Sequence, residues 1–172
     1  MNQEDLTHKL EYIYKGCKEL LNLVMKKDYV SSGNIAIFAQ SEDEFNILND
    51  LKKQITKVSE NPNQKYFELI EPITFKHNDY PSDTFTHLYI RKFDPTDYGK
   101  YLGDIDFVCS DEEYKVLREQ VQNGLFNGAE IYGRPGWDNI QISSTDYGVL
   151  PYLGTLEMAI KARVKFDDVT NL

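Results

Sequence analysis

One short pattern of residues occurs twice in this chain, about 70 residues apart, at 33–48 and at 103–117. Each copy starts with a glycine, continues as an apolar stretch that predicts a strand, and reaches a serine, Ser41 or Ser110, with a glutamate three residues later. This serine–glutamate spacing is typical of a capping box, which marks the first turn of a helix. The chain is therefore predicted to contain two strand–helix units, and a repeat of this length is typical of a duplicated half-domain.

Three further strands are predicted after each of the two helices. They are expected at 66–70, 73–75 and 85–92 in the first half, and at 129–132, 139–143 and 149–153 in the second. We therefore expect an α+β fold with a duplicated βαβββ module, one copy at 33–101 and one at 102–172, forming a mixed, curved sheet. The alternative is that two unrelated strand–helix starts look alike by chance.

Residues 1–32 lie outside the repeat and predict an extra N-terminal helix from Leu6 to about Lys27. Its apolar residues recur at helical spacing and are Leu6, Leu10, Ile13, Cys17, Leu20, Leu21 and Val24. A single apolar stripe favours packing on the domain, and a partner-binding helix is the alternative. A last helix is expected from Thr155 to about Val164.

Charge and composition narrow the function classes. The formal net charge is −9 and the basic residues are scattered, which argues against a nucleic-acid-binding face. No apolar run approaches the ~20 residues that span a bilayer, and an acidic N-terminal stretch predicts no secretion signal. Two distant cysteines, Cys17 and Cys109, favour reduced thiols in a cytoplasmic protein. An acidic surface that engages a basic partner, and a homodimer, both remain open.

Strand alternation suggests where a binding site could lie. Leu88 and Ile90 are expected on one face of the strand at 84–92, and the other face is expected to carry Phe85, His87, Tyr89 and Arg91. By the same rule, Asp104 and Asp106 oppose Ile105 and Phe107. If the two mixed faces share one concavity, their side chains could bind a polar or anionic ligand or support proton transfer.

The position of His87 makes this hypothesis specific. We expect His87 within one water molecule of Asp104 or Asp106, with the carboxylate raising the pKa of the imidazole. Such a group could also hold a divalent metal with open positions, so these three residues are candidates for a metal site. The alternative is that the alternating polar side chains simply face water on one side of the sheet.

Arg134 and Trp137 form a second candidate, because the one tryptophan of the chain stands near a guanidinium in a predicted turn. Such a pair can clamp a flat or anionic ligand. The alternative is a loop that packs its indole ring against the core.

The doubled strand–helix–three-strand module resembles the vicinal oxygen chelate superfamily, which includes glyoxalase I, extradiol dioxygenases and bleomycin-resistance-type binding proteins. The segments that carry the resemblance are 103–108, 129–131, 137–142 and 145–152. Metal-dependent members typically place a histidine near the start of a module's first strand, where this chain has Asn34 and Asp104. The metal-binding glutamate expected late in the second module falls on Tyr152. The resemblance therefore implies a ligand-binding concavity without the complete metal set.

These observations favour a small-molecule-binding or lyase-like protein that uses a polar concavity of the sheet. A divalent metal is a conceivable cofactor, and the catalytic residues, if any, are not predicted. The rival hypothesis is a non-enzymatic, acidic interaction protein. A deep cavity would support the first hypothesis, and a flat apolar patch would support the second.

Overall fold

The computed structural model describes residues 1–134 and 137–165, except for the side chain of Arg134. These residues form an α+β fold with a mixed sheet, as the sequence predicts, and the fold contains four α-helices and seven strands. The elements are α1 (Gln3–Met25), β1 (Val30–Phe38), α2 (Glu42–Ile55), β2 (Phe67–Phe75), β3 (Asp83–Arg91), a 3-10 helix (Asp97–Lys100), β4 (Gly103–Val108), α3 (Asp111–Gln122), β5 (Ala129–Arg134), β6 (Trp137–Ile142), β7 (Leu150–Gly154) and α4 (Leu156–Lys161). None of the described helices is both long enough and apolar enough to cross a membrane.

The strands are arranged in the order β2-β3-β1-β4-β7-β6-β5. β1 pairs antiparallel with β4 in the middle of the sheet and so joins the two halves of the chain. In the first half β1 lies parallel to β3, and in the second half β4 lies parallel to β7. The first strand of each half therefore lies beside the last strand of that half, and the remaining strands extend outward by antiparallel pairing.

The two strands expected at 66–70 and 73–75 form one strand, β2. Its pairing with β3 shifts in register between Glu68 and Ile73, around Pro72. Proline lacks the N–H that a ladder needs, but β2 is an edge strand, where a proline and an irregular stretch are tolerated. The first half therefore has two strands after its helix, and the prediction of three was wrong for that half.

Three helices cover one face of the sheet. α1 contacts the central strands β1, β4 and β7, α2 contacts β2 and β3, and α3 contacts β5 and β6. The predicted stripe of α1 faces this core, because Leu6, Leu10, Ile13, Cys17, Leu20 and Leu21 are all buried. α4 contacts β1, β4 and β6.

The helix starts differ from the prediction in detail. α1 begins at Gln3 rather than Leu6 because Asn2 and Asp5 form a complete capping box, with each side chain accepting a hydrogen bond from the other residue's backbone N–H. Ser41 and Ser110 each accept one bond, at 3.1 Å, from the glutamate three residues on. The reciprocal bond is replaced at both sites, since the Glu44 carboxylate accepts from the N–H of Gln40, and that of Glu113 binds Lys27 and Tyr29.

A buried lysine, which the sequence pattern did not reveal, fastens α1 to the sheet. Lys18 is 1% exposed, and its Nζ donates to the Asp83 carboxylate and the Tyr29 carbonyl, each at 2.8 Å. Asp28 lies at the same distance from the ammonium. Asp83 also accepts a bond from the backbone N–H of Ser31, so the lysine joins the helix to the starts of both β1 and β3.

Gly103, the first residue of β4, permits a close approach between the two halves. A Cβ atom there would overlap the carbonyl oxygen of Ala36 on β1 and would lie 2.6 Å from Ile13 Cδ1 on α1. The glycine that opens the second copy of the repeat is therefore required for packing at the centre of the sheet.

We predict that Lys18→Ala lowers the free energy of unfolding by about 3–5 kcal/mol, because it leaves the buried Asp83 carboxylate without its ammonium partner. Lys15→Ala is the matched control on the same helix, since the exposed Lys15 pairs with Glu11 at the surface and such pairs contribute about 0–1 kcal/mol. Urea denaturation of both variants measures the difference. Equal losses would show that the buried pair does not hold the helix.

We also predict that Gly103→Ala lowers the free energy of unfolding by about 3 kcal/mol, at the upper end of overpacking costs, because β1 and β4 must separate. Gly148→Ala is the control, because a Cβ there meets only Leu102 side-chain atoms at 3.8 Å or more. Thermal and urea unfolding should show a small effect for the control. A Gly103→Ala variant as stable as the wild type would contradict the packing described here.

Candidate functional site

The sheet face opposite α1 carries a cavity of about 410 Å³. Its walls combine aromatic rings, two carboxylates and two cationic side chains. The lining residues are Phe38, Lys65, Tyr66, Tyr89, Arg91, Tyr98, Asp104, Asp106, Tyr132, Gly133, Trp137, Asn139, Tyr152, Ala162 and Val164.

The pairing of the central strands brings the polar residues together. Ala36 of β1 pairs with Tyr89 of β3 on one side and with Asp104 of β4 on the other. Directly paired residues point to the same face of a sheet, so Tyr89 and Asp104 flank the small Ala36 side chain. Alternation then places Arg91 and Asp106 on that face as well. The structure thus brings together Tyr89, Arg91, Asp104 and Asp106, as the sequence-based alternation predicted.

His87 lies outside the cavity lining, although it shares the strand. It is half-buried, and its Nδ1 lies 2.9 Å from the Thr86 hydroxyl. Burial and, after it, the charge of Arg163 lower the pKa of His87, whereas the sequence analysis expected a carboxylate to raise it. Phe85 was also misplaced, because it joins Leu88 in the core. The alternation of side chains along β3 is interrupted between Phe85 and Leu88. This is the stretch of β3 opposite which the pairing register of β2 shifts.

The second candidate pair is only partly described. Trp137, the first residue of β6, lines the cavity, and Arg134 ends β5 with its side chain outside the described residues. The two are paired across the β5–β6 ladder. The proposed clamp between guanidinium and indole therefore stays a prediction.

Two aspartates on the central strand β4 form the charged floor of the cavity. Asp104 is buried and accepts a hydrogen bond from Tyr66 Oη at 3.1 Å, and Asp106 accepts one from Asn34 Nδ2 at 2.9 Å. Burial, followed by the charge of Asp106, raises the pKa of Asp104 to about 7. Burial also raises the pKa of Asp106. At neutral pH this floor is therefore poised to hold or release a proton.

Asn34 holds Asp106 in place from the neighbouring strand. It is fully buried, and its amide also donates to the carbonyl of Ala159 on α4 at 2.8 Å. Its Oδ1 accepts from Arg163 Nε at 2.8 Å, which fixes the orientation of the amide. The position at which the superfamily resemblance would place a metal-binding histidine thus serves here to orient a carboxylate.

A chain of hydrogen bonds runs from the cavity wall to the edge of the sheet. Tyr152 Oη donates to Gln141 Oε1 at 2.9 Å, and Gln141 Nε2 donates to Glu130 at 3.2 Å. A carboxylate can only accept, so Glu130 must face the Gln141 NH₂ group, and this leaves Gln141 Oε1 facing Tyr152. The hydroxyl proton of Tyr152 is therefore used in its bond to Oε1. The 2.6 Å contact between the Tyr98 and Tyr152 hydroxyls therefore has Tyr98 as the donor. The Tyr98 oxygen is left as an acceptor.

Arg91 is held at the side of the cavity by other groups. Its Nη2 pairs with Asp94 Oδ2 at 2.7 Å, and its guanidinium lies over the rings of Tyr98 and Phe38, 4.2 and 5.0 Å from their centroids. The Arg91 charge is thus already matched by a carboxylate and two ring faces.

Most of the cavity wall was not found by sequence reasoning. Tyr66 and Tyr98 come from segments between strands, and Tyr132 and Tyr152 come from strands whose neighbours were not known in advance. The high tyrosine content, 12 residues, was the one available signal, and it indicated rings with polar tips without saying where they meet. Lys65 and Asn139 carried no signal at all.

Within 1–134 and 137–165, no group of three or more His, Cys, Asp or Glu side chains is arranged to hold a metal ion. The trio considered from sequence, His87, Asp104 and Asp106, therefore does not form such a group. Tyr152, at the position where the resemblance would expect a glutamate, takes part in the hydrogen-bond chain instead.

No family model, no curated protein and no solved structure matches this chain. The resemblance to the vicinal oxygen chelate superfamily therefore stays a prediction from the sequence.

We predict that Asp104→Asn becomes more stable relative to the wild type as the pH rises from about 4 to about 8. The folded-state pKa lies above the unfolded value of about 3.9, so the wild type loses stability across this window. Each pKa unit corresponds to about 1.4 kcal/mol, and we expect a relative change of at least about 1 kcal/mol. Denaturation at several pH values measures it.

Asp94→Asn provides a control of opposite sign. Hydrogen bonds from Thr96 lower the pKa of Asp94, so its carboxylate stabilises the fold at neutral pH and loses that effect as the pH falls towards about 3. The loss of unfolding free energy in Asp94→Asn, relative to the wild type, should therefore become smaller as the pH falls. If the free energy of unfolding changes with pH in the same way for Asp104→Asn and the wild type, the pKa of Asp104 is not raised.

Proposed function

We propose that the protein binds a small organic molecule in the cavity, with Asp104 and Asp106 as the polar floor and the tyrosine rings as walls. The observation that carries this proposal is the pair of neighbouring carboxylates, Asp104 buried and Asp106 half-buried, at the base of an aromatic cavity. Ligand sites are typically clefts of about 300–1,000 Å³ with apolar walls and a few convergent polar groups. The cavity of about 410 Å³ falls in this size range and combines tyrosine rings with convergent polar groups, and its lining is more polar than that of a typical site.

The energetic cost of this arrangement supports the proposal. Burying a carboxylate is unfavourable unless it is paired and hydrogen-bonded, and the raised pKa of Asp104 shows that its present environment does not compensate the charge fully. A core that served stability alone would place apolar side chains here. Residues with unfavourable burial in a concave site are typical of function.

Asn139 adds an independent sign of a missing partner. Its Oδ1 is buried, lines the cavity region, and has no hydrogen-bond partner among the described residues. An unsatisfied buried acceptor costs about 1–3 kcal/mol. A ligand that donates a hydrogen bond to Asn139 would remove this cost.

Acid–base catalysis is the second candidate function, in line with the lyase-like alternative. A carboxyl group works best as a general acid or base when its pKa lies near the working pH. Asp104 meets this condition, with a pKa of about 7 and a second carboxylate on the same strand. The rival hypothesis of an acidic interaction protein gains no support from a cavity lined by polar groups.

The architecture is consistent with duplication, and we propose that the two halves derive from one strand–helix–strand unit. In both halves a capped helix follows the first strand, and that strand lies parallel to the last. The second half has the full βαβββ order, which supports the proposed relationship to the vicinal oxygen chelate superfamily. The shorter first half is the departure.

Blocking the cavity tests the proposed function. Ala162 lines the cavity at the end of α4, so we predict that Ala162→Trp fills it and abolishes small-molecule binding. Ile160→Trp is the matched control, because Ile160 lies on the same helix and is 48% exposed. Ligand-observed NMR with a metabolite library should find compounds that bind the wild type and Ile160→Trp but not Ala162→Trp.

Two results would contradict this prediction. The first is a library in which no compound binds the wild type. The second is a set of ligands that Ala162→Trp binds as well as the wild type does, which would locate binding elsewhere.

A further inference from the structure

We infer that the ligand of this cavity carries a protonated amine, which Asp104 and Asp106 receive. This inference rests on the proposed function and specifies the class of molecule that the cavity binds. It follows from the hydrogen-bonding direction of the wall, from the partners of the cationic side chains, and from the placement of the rings.

The deeper polar groups of the cavity present mainly hydrogen-bond acceptors. A carboxylate has about four acceptor positions, and the bonds from Tyr66 and Asn34 use one position each on Asp104 and Asp106. The hydroxyl protons of Tyr66 and Tyr98 are already donated, so their oxygens can only accept. A complementary ligand must bring several donors to one place, and an ammonium group brings three.

The two guanidinium groups near the floor leave room for this charge, and Lys65 acts on both aspartates through its charge without a described ion pair. Arg91 is paired with Asp94. Arg163 donates to Asn34 Oδ1 and to the carbonyl of Ser32, at 2.8 and 3.4 Å, so it supports Asp106 indirectly through the asparagine. Neither guanidinium forms a described ion pair with the two aspartates of β4.

The ammonium group of Lys65 lies over two rings of the aromatic wall. Its Nζ lies 5.1 Å from the ring centroid of Tyr89 and 5.6 Å from that of Tyr66. Both distances fall within the range of cation–π attraction. On the other side of the aspartates, Tyr132 and Tyr152 form a second aromatic group with centroids 5.7 Å apart. The carboxylates on β4 thus lie between two groups of rings, a setting that favours a cation over an anion.

Proton release should accompany binding of an amine. The titratable and charged groups that interact with Asp104 are Asp106 on its own strand, Cys17 on α1, Lys65 and Tyr66 before β2, Tyr89 and Arg91 on β3, Tyr98 in the 3-10 helix and Tyr152 on β7. A bound ammonium adds a positive charge to this set and stabilises the ionised form of Asp104. A bound anion would have the opposite effect and cause proton uptake.

Isothermal titration calorimetry with three probes built on the same phenylethyl group tests the inference. The probes are phenethylamine, 2-phenylethanol and 3-phenylpropionate, which share a phenyl group and carry a cationic, a neutral or an anionic head. At pH 6.5 we expect phenethylamine to bind at least about tenfold more tightly than either analogue. Its heat of binding should change with the ionisation enthalpy of the buffer in the direction of proton release.

Substitutions of the two aspartates test whether their carboxylates cause the preference for phenethylamine. Asp104→Asn should weaken phenethylamine binding at least about tenfold and leave 2-phenylethanol binding unchanged. Asp106→Asn repeats the test at the second carboxylate, in case Asp104→Asn does not fold. Asp146→Asn, an exposed substitution in the turn before β7, should bind the amine as the wild type does.

The possible failures are distinguishable. If the alcohol or the carboxylate binds as tightly as the amine and Ala162→Trp abolishes that binding, the amine inference is wrong and the proposed binding function stands. Amine binding that survives both aspartate substitutions, or no measurable amine binding, also overturns the inference. Failure of the metabolite screen, with no ligand sensitive to Ala162→Trp, would overturn the proposed function itself.

Discussion

The antiparallel pairing of β1 with β4 is the constraint on which the rest of the structure depends. It is the junction in the sheet between the two halves of the chain, and it is possible only because Gly103 lets β4 approach Ala36 closely. The same pairing places Asn34 of β1 within hydrogen-bonding distance of Asp106 on β4. Sheet assembly and the geometry of the cavity floor are therefore set by the same contact, and a change at this junction should affect stability and binding together.

The carboxylates lie on the central strand β4 at the base of the cavity, where Asp104 is buried and Asp106 is half-buried. A charge in such a place is favoured only when a partner compensates it, and the raised pKa of Asp104 reflects incomplete compensation by the protein's own groups. A cationic ligand would complete the compensation. Lys18 shows that this fold can compensate a buried carboxylate fully from within, since its ammonium meets Asp83 at 2.8 Å. Asp104 has no such described ion pair, which is why it is the better candidate for a functional group.

Local patterns predicted the parts of this structure that depend on local rules. Alternation along single strands correctly grouped Tyr89 with Arg91 and Asp104 with Asp106, because the side chains of a regular strand point alternately to its two faces. That the two pairs share one face depends on the pairing of β3 and β4 with β1. It could not foresee that β2 continues past Pro72, since that depends on β2 being an edge strand. The Lys18 ion pair and the position of Tyr98 join segments that are distant in sequence, and no single-sequence pattern encodes such contacts. The cavity floor was thus predictable in part, while its aromatic walls were not.

The ionisation of Asp104 tests the central claim most directly. Carbon-13 NMR of the aspartate carboxyl groups, recorded across pH with and without phenethylamine, reports this property at the residue itself. The structure predicts that Asp104 titrates near pH 7 in the free protein and at least about one unit lower when the amine is bound. An Asp104 that titrates at the ordinary value of about 3.9 and does not respond to the amine would contradict the claim.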